Sequence, residues 1–149
     1  MINYEKISKT ILSLTSGEDD EVAKMATVAC EIHWSDDRFD WTGFYRVVSP
    51  ELLKIGPYQG QHGCLTIPFS KGVCGTAAST GKTQLVRNVE SYANHIACSS
   101  STKSELVVPV WNRENELIGV FDIDSDREDA FSNYDAEEVG KILDAVFNF

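Results

Sequence analysis

Tyr4, Ile7, Ile11 and Leu14 recur at spacings of three and four, and Val22, Met25, Ala26, Ala29 and Ile32 repeat that spacing after the polar stretch Ser16-Gly-Glu-Asp-Asp. A period near 3.6 gathers each set on one face, so two amphipathic helices are predicted, the first over Ile2–Leu14. Asp19 or Asp20 caps the second, and the acids there suit the positive end of a helix. Cys30, near the end of the second stripe, reads as a small core residue. Beyond Asp40 the pattern changes to β-rich runs broken by Gly and Pro: Trp41–Val48, Leu52–Tyr58 and Gly63–Ile67. Gly72-Val-Cys-Gly-Thr-Ala-Ala opens a small-residue helix that ends near Gly81, and Gln84–Val86 reads as a short strand. Residues 88–103 form a long polar stretch, and a loop of that length in a compact domain is usually functional.

Glu105–Trp111 and Glu116–Ile123 are two further strand-like runs, joined by Asn112-Arg-Glu-Asn as a hairpin in the middle of the sheet. Ser132 and Asp135 make a capping-box start for a closing helix that carries Tyr134, Val139, Ile142, Leu143, Val146 and Phe147. The order of elements gives an α+β fold, with terminal helices covering one face of a mostly antiparallel sheet.

At 149 residues, 42% hydrophobic and 24% charged, the chain has the composition of one globular domain spanning 1–149, and disorder, collagen and coiled coil are excluded. The balance of 13 Lys+Arg against 23 Asp+Glu gives a formal charge of −10, which repels phosphate backbones and anionic lipids. Nucleic acid and membrane are therefore not expected as partners. The first residues, Met1-Ile-Asn-Tyr-Glu-Lys, lack the apolar core of a signal peptide, and a cytoplasmic location is the expectation.

In that compartment thiols stay reduced unless they are catalytic, redox-sensing or metal-bound, so the four cysteines call for a reason. Cys64, Cys74 and Cys98 fall in loops or at element ends, beside small or polar residues. Cys74 stands at a predicted helix start, where backbone N–H groups and the dipole stabilise a thiolate. Cys98 follows His95 by three residues, and an imidazole can lower its pKa or take its proton. Local physics leaves the two tied as nucleophiles. The bland alternative makes all three unreactive, partly buried thiols. A zinc site drawn from His62, Cys64, Cys74, His95 and Cys98 lacks any C-x-x-C or H-x-x-x-H spacing, so no metal is expected.

Three acids accompany the cysteines. Strand alternation puts Asp122 and Asp124 on one face, where mutual repulsion raises one pKa, and Glu105 opens the strand before. Such a pair is an ordinary solvated strand face unless that face lines a pocket. Trp41 and Tyr45 share a strand face in the same way, and on their own would read as core.

The strings Asp40-Trp-Thr-Gly-Phe-Tyr45, Gly56-Pro-Tyr-Gln-Gly60 followed by Cys64, Gly72-Val-Cys-Gly-Thr-Ala77, His95-Ile-Ala-Cys98, Ser104-Glu105 and Gly119-Val-Phe-Asp-Ile-Asp-Ser125 together resemble the free methionine-(R)-sulfoxide reductase family, enzymes built on a GAF domain. The resemblance covers residues 20–147 and rests on the order and spacing of six motifs. It implies a sheet of six antiparallel strands, N- and C-terminal helices on one face and a loop-covered pocket on the other. It makes Cys98 the catalytic cysteine, Cys64 its disulfide partner and Cys74 an auxiliary or alternative resolving thiol. It assigns Trp41, Tyr45, Glu105, Asp122 and Asp124 to substrate binding, with one acid available to protonate the sulfoxide oxygen.

The implied reaction is attack of the Cys98 thiolate on the sulfoxide sulfur, release of methionine, and condensation of the resulting sulfenic acid with Cys64. Thioredoxin or a similar dithiol would reduce the disulfide, with no metal or organic cofactor. A closed pocket with groups for both termini leaves no exit for a peptide chain, so peptide-bound substrate should be rejected, and preference for the R epimer follows from the resemblance alone. The sequence leaves oligomeric state open, a homodimer included. The rival from another class is a GAF sensor module that binds a small ligand or registers oxidation without turnover, although sensors of this kind regulate a neighbouring domain and none is expected in 149 residues.

Overall fold

A computed structural model describes all residues from Met1 to Phe149. The helices α1 (Tyr4–Thr15) and α2 (Glu21–His33) come first, as the apolar periodicity requires. Asp20 is the cap of α2, its carboxylate accepting from the backbone N–H groups of Val22 and Ala23 at 2.8 and 3.1 Å. The buried stripes are shifted from those expected. Leu14, Val22 and Ala26 face solvent, and Thr15 and Val28 take their place in the interior. Thr15 can be buried because its hydroxyl donates to the Ile11 carbonyl at 2.8 Å, leaving no unpaired donor. Cys30 lies half-buried beside the α2 stripe instead of within it.

Strands β1 (Trp41–Ser49), β2 (Leu52–Gln59), β3 (Thr66–Pro68), β4 (Gln84–Val86), β5 (Ser104–Trp111) and β6 (Leu117–Ser125) form one sheet in the order β3-β2-β1-β6-β5-β4. Every neighbouring pair is antiparallel. The β5–β6 hairpin is central, as expected, because β6 also pairs with β1. The predicted strand over Gly63–Ile67 shrinks to Thr66–Pro68. Its first residues leave the sheet instead, with Cys64 bonded to Cys98.

Alternation along the central strands sorts the molecule into two layers of side chains. Phe44, Leu106, Val108, Val110, Phe121 and Ile123 point to one face and join Ile11, Met25, Ile32 and Leu143 in the main core. The closing helix α4 (Asn133–Phe147) completes that layer and starts from the predicted capping box: Asp135 Oδ2 accepts from Ser132 N at 2.8 Å, and Ser132 Oγ accepts from Asp135 N at 3.3 Å. Asp135 is also the anchor for the start of the chain. Arg38 donates to both its oxygens at 2.9 and 3.2 Å, and the buried Tyr4 hydroxyl donates to Oδ1 at 2.6 Å.

The inserted helix α3 (Gly72–Thr80) lies on the opposite face, against β5 and β6. Its small side chains Cys74, Ala77 and Ala78 form a second core with Tyr45, Val107 and Val120. Helices therefore cover both faces, the terminal ones on the expected side and α3 on the other. No helix is long and apolar enough to cross a membrane.

Candidate active site

The face that carries α3 also carries a cavity of about 480 Å³. Its floor is made of alternate residues of three adjacent strands. Trp41 and Tyr45 come from β1, Asp122 and Asp124 from β6, and Glu105 from β5. In the ladder Asp124 stands between Trp41 and Glu105, and Asp122 between Gly43 and Val107. Cross-strand neighbours of this kind lie roughly 4.5–5.5 Å apart at Cβ, so the three acids are forced together by register.

Gly43 leaves the space beside Asp122 open and lets an aromatic stack close behind it. A Cβ there would overlap the Cβ of Tyr58 and come within 2.9 Å of the Trp41 ring. Trp41 is stacked on Tyr45 at 5.7 Å and on Tyr58 at 5.2 Å between ring centres, and its indole N–H donates to the Gln61 carbonyl at 2.7 Å. That bond fixes the indole plane and ties residues 61–63 over the cavity. The contacts of Tyr58 and Gln61 with Trp41 were not read from sequence, because they depend on the β1–β2 pairing that sets Tyr58 opposite Gly43 and on the path of the chain just after β2.

The second wall is the segment between β4 and β5. A 3₁₀ turn at Val89–Ser91, capped by Asn88, starts it, and two bonds pin it at and just before the start of α3: Gly72 N to the Asn94 carbonyl at 2.8 Å and Asn94 Nδ2 to the Ser70 carbonyl at 3.0 Å. Gly72 has φ +72°, and the Ile96 side chain lies 3.2 Å from where a Cβ would stand, so only glycine fits. The segment brings His95, Cys98 and Ser99–Thr102 to the cavity. The backbone N–H groups of Ser99, Ser100 and Thr102 donate to no backbone carbonyl.

Cys98 is bonded to Cys64, with 5.2 Å between their Cα atoms. Both residues are partly exposed. The structure thus gathers every residue singled out from sequence: Trp41, Tyr45, Cys74, Cys98, Glu105, Asp122 and Asp124 line the cavity, and Cys64 is joined to one of them. The zinc set drawn from the sequence is not assembled, since two of its sulfurs are bonded to each other.

Electrostatics corrects the reading of Cys74. Although third in its helix, the thiol is buried, and burial together with the Asp122 and Glu105 carboxylates pushes it well above the usual cysteine range. The helix start does not make it a thiolate. His95, expected to serve Cys98, lies with Nε2 3.7 Å from Glu105 Oε1.

The three acids are themselves displaced upward. Burial is the largest cause at each; Asp124 and Glu105 add to it at Asp122, and Glu105 adds to it at Asp124. At Glu105 the neighbouring Asp122 and the His95 ring oppose burial without overcoming it. The group therefore retains protons where isolated carboxyls would have lost them. Asp122 is 4% exposed, yet its Oδ1 and the buried Oδ1 of Asp124 have no hydrogen-bond partner. Unpaired buried acceptors of this kind are costly and call for a cationic or proton-donating ligand.

A single antiparallel sheet with terminal helices on one face and a loop-roofed cavity on the other is the architecture of a ligand-binding GAF domain, and the GAF domain profile matches residues 19–146. Free methionine-R-sulfoxide reductase of Saccharomyces cerevisiae is 38% identical over 156 aligned positions, covering 97% of this chain and 86% of that protein. The protein of the same name from Escherichia coli is 31% identical over 140 positions, covering 94% of this chain and 84% of its own length. The X-ray structure of free methionine-R-sulfoxide reductase from Neisseria meningitidis, in complex with its substrate, superposes with a TM-score of 0.90 at 36% identity, covering 96% of this chain and 85% of that one. The chain belongs to the GAF domain family, in the group formed by the free methionine-R-sulfoxide reductases.

Proposed function

We propose that the protein reduces free L-methionine-(R)-sulfoxide to L-methionine. The observation that carries this reading is a disulfide-bonded pair of cysteines, Cys64 and Cys98, set at a cavity whose floor holds buried acids without partners. The substrate's ammonium meets the open Oδ1 atoms of Asp122 and Asp124 and takes the place of a proton there. Its carboxylate meets the free N–H groups of Ser99, Ser100 and Thr102. Trp41 and Tyr45 face the methyl and sulfur, a contact that favours a polarizable group against a ring.

With Cys64 and Cys98 reduced, the Cys98 thiolate attacks the sulfoxide sulfur while the buried acid cluster supplies a proton to the oxygen. The S–O bond of the substrate breaks, methionine leaves, and the oxygen ends on Cys98 as a sulfenic acid. Cys64 displaces that oxygen as water and forms the disulfide. The Cys64–Cys98 bond in this structure supports that end point. An external dithiol such as thioredoxin then exchanges with the disulfide through its exposed side and returns both thiols. Turnover of that kind belongs in a reducing compartment, here the cytoplasm. Cys74 stays out of the main cycle as an auxiliary thiol, its proton held by burial.

Methionine release by reduced protein tests the reading directly. The R epimer of free methionine sulfoxide should yield stoichiometric methionine without reductant and many turnovers with thioredoxin, and the S epimer and a sulfoxide-containing peptide should yield none. No release from any of the three sinks the proposal.

A further inference from the structure

The buried thiol that the cycle leaves unused stands in a group of unlike donors. Cys74 Sγ and one oxygen each from Glu105 and Asp122 all lie within 4.8 Å of one another, and all three residues are buried. Cys74 Sγ is 3.9 Å from Glu105 Oε2. Two further donors border the group: His95 Nε2 at 3.7 Å from the other Glu105 oxygen, and Asp124, opposite Glu105 in the ladder. The independent sign that something is to be bound is the unpartnered Oδ1 of Asp122, a side chain more than nine-tenths buried on the cavity wall.

One sulfur, carboxylate oxygens and an imidazole within reach suit a borderline-soft divalent ion, zinc before magnesium or calcium. Tetrahedral zinc with bonds of about 2.0–2.3 Å holds its donors roughly 3.3–3.8 Å apart, so donors up to 4.8 Å apart must approach one another by roughly 1 Å, a side-chain adjustment. We propose that Cys74, Glu105 and Asp122 form a binding site for one zinc-class ion, and that the ion and the ammonium of a free amino acid exclude each other from the cavity. On binding, the Cys74 thiol proton and any proton held by the Glu105 and Asp122 carboxyls are lost to solvent, sulfur–metal and oxygen–metal bonds form, and nothing is oxidised or reduced. The ion has no part in sulfoxide reduction. It blocks the site, so free zinc inhibits. Only the exclusion half of the proposal rests on the substrate reading; the metal site itself does not.

The Cys64–Cys98 bond makes the test clean. In oxidised protein the free thiols are Cys74 and Cys30 alone, so a cysteine–cobalt charge-transfer band can come from no other residue. Titration of oxidised protein with Co²⁺ should give that band at one equivalent, bleached by Zn²⁺. Cys30→Ser should keep it and Cys74→Ser should lose it. Asp122→Asn and Glu105→Gln, which leave the sulfur in place, should each weaken Co²⁺ binding at least about tenfold, which keeps the test decisive if the Cys74 variant fails to fold. No band in wild type, or a band that survives in Cys74→Ser, overturns the site. Free methionine sulfoxide should raise the Co²⁺ concentration needed for half-saturation. A titration indifferent to it overturns the exclusion, whereas failure of the reductase reading would show in methionine release instead.

Discussion

Cys98 and Cys64 share one bond but are expected to fail differently when replaced. On the proposed cycle, Cys98→Ser removes the nucleophile, so reduced protein mixed with substrate should release no methionine even in a single turnover. Cys64→Ser leaves the nucleophile and removes the thiol that condenses with the sulfenic acid, so one equivalent should be released and recycling by thioredoxin should be poor. Quantifying methionine with and without reductant separates the two, and release by Cys98→Ser would refute the assignment. Gly43 makes a different prediction at the same scale. A methyl group there meets the Tyr58 backbone and the Trp41 ring, so Gly43→Ala should cost about 1–3 kcal/mol in urea unfolding and displace the aromatic stack. The roles of Trp41, Tyr45, Cys98 and the acids were legible only through the family resemblance, and the fold brings all of them to one cavity. The state of Cys74 was not. A position at a helix start argues for a thiolate, but its burial against Asp122 and Glu105 is set by residues some thirty and fifty positions away and wins.

Among the elements, the starts and stops were read well wherever a local signal exists. Asp20, Gly81 and the Ser132–Asp135 box each end or begin a helix where the sequence puts them. What periodicity does not give is the partner. The anchoring of α1 to α4 through Tyr4, Arg38 and Asp135 joins residues 131 and 97 positions apart. Tyr4→Phe should cost about 1.5–3 kcal/mol, the range for one buried hydrogen bond to a charged group, since Asp135 keeps its two bonds from Arg38. The same carboxyl sets an acid limb. Despite its burial, Asp135 is held below the ordinary carboxylate range by hydrogen bonds from Arg38 and Tyr4. Its folded pKa is lower than its unfolded value of about 3.9, so its stabilisation is complete above that pH and fades as the pH falls through the folded value. Asp36, also depressed by Arg38, acts with the same sign. Urea midpoints measured between neutral pH and pH 3 should fall more steeply for wild type than for Asp135→Asn. Parallel curves would deny Asp135 this role.

For the whole molecule, the arrangement explains why the substrate should be a free amino acid. The floor acids belong to the sheet's central strands, and segments 61–63 and 98–102 border the same cavity, so a bound molecule is met from several sides. The chain's charge of −10 draws cations in general, but long-range attraction is screened by salt and does not select among them. On the proposed reading, selection comes from the buried Oδ1 atoms of Asp122 and Asp124, which have no hydrogen-bond partner of their own and gain one only if the ligand brings a donor to that depth. Acetylating the amine of methionine sulfoxide removes its charge and leaves the sulfoxide intact. Losing one partner of a buried charged pair costs about 2–5 kcal/mol, so kcat/KM for N-acetyl-methionine sulfoxide should fall by roughly 30-fold to several thousand-fold. Esterifying the carboxylate should cost less, because backbone N–H groups near the protein surface can return to water. Because the amine pairing is buried, the discrimination should persist at high salt, where a surface effect would vanish. Equal turnover of the acetylated and free substrates would mean that the acids serve only the sulfoxide oxygen, and the amine would then have to be recognised elsewhere or left in solvent.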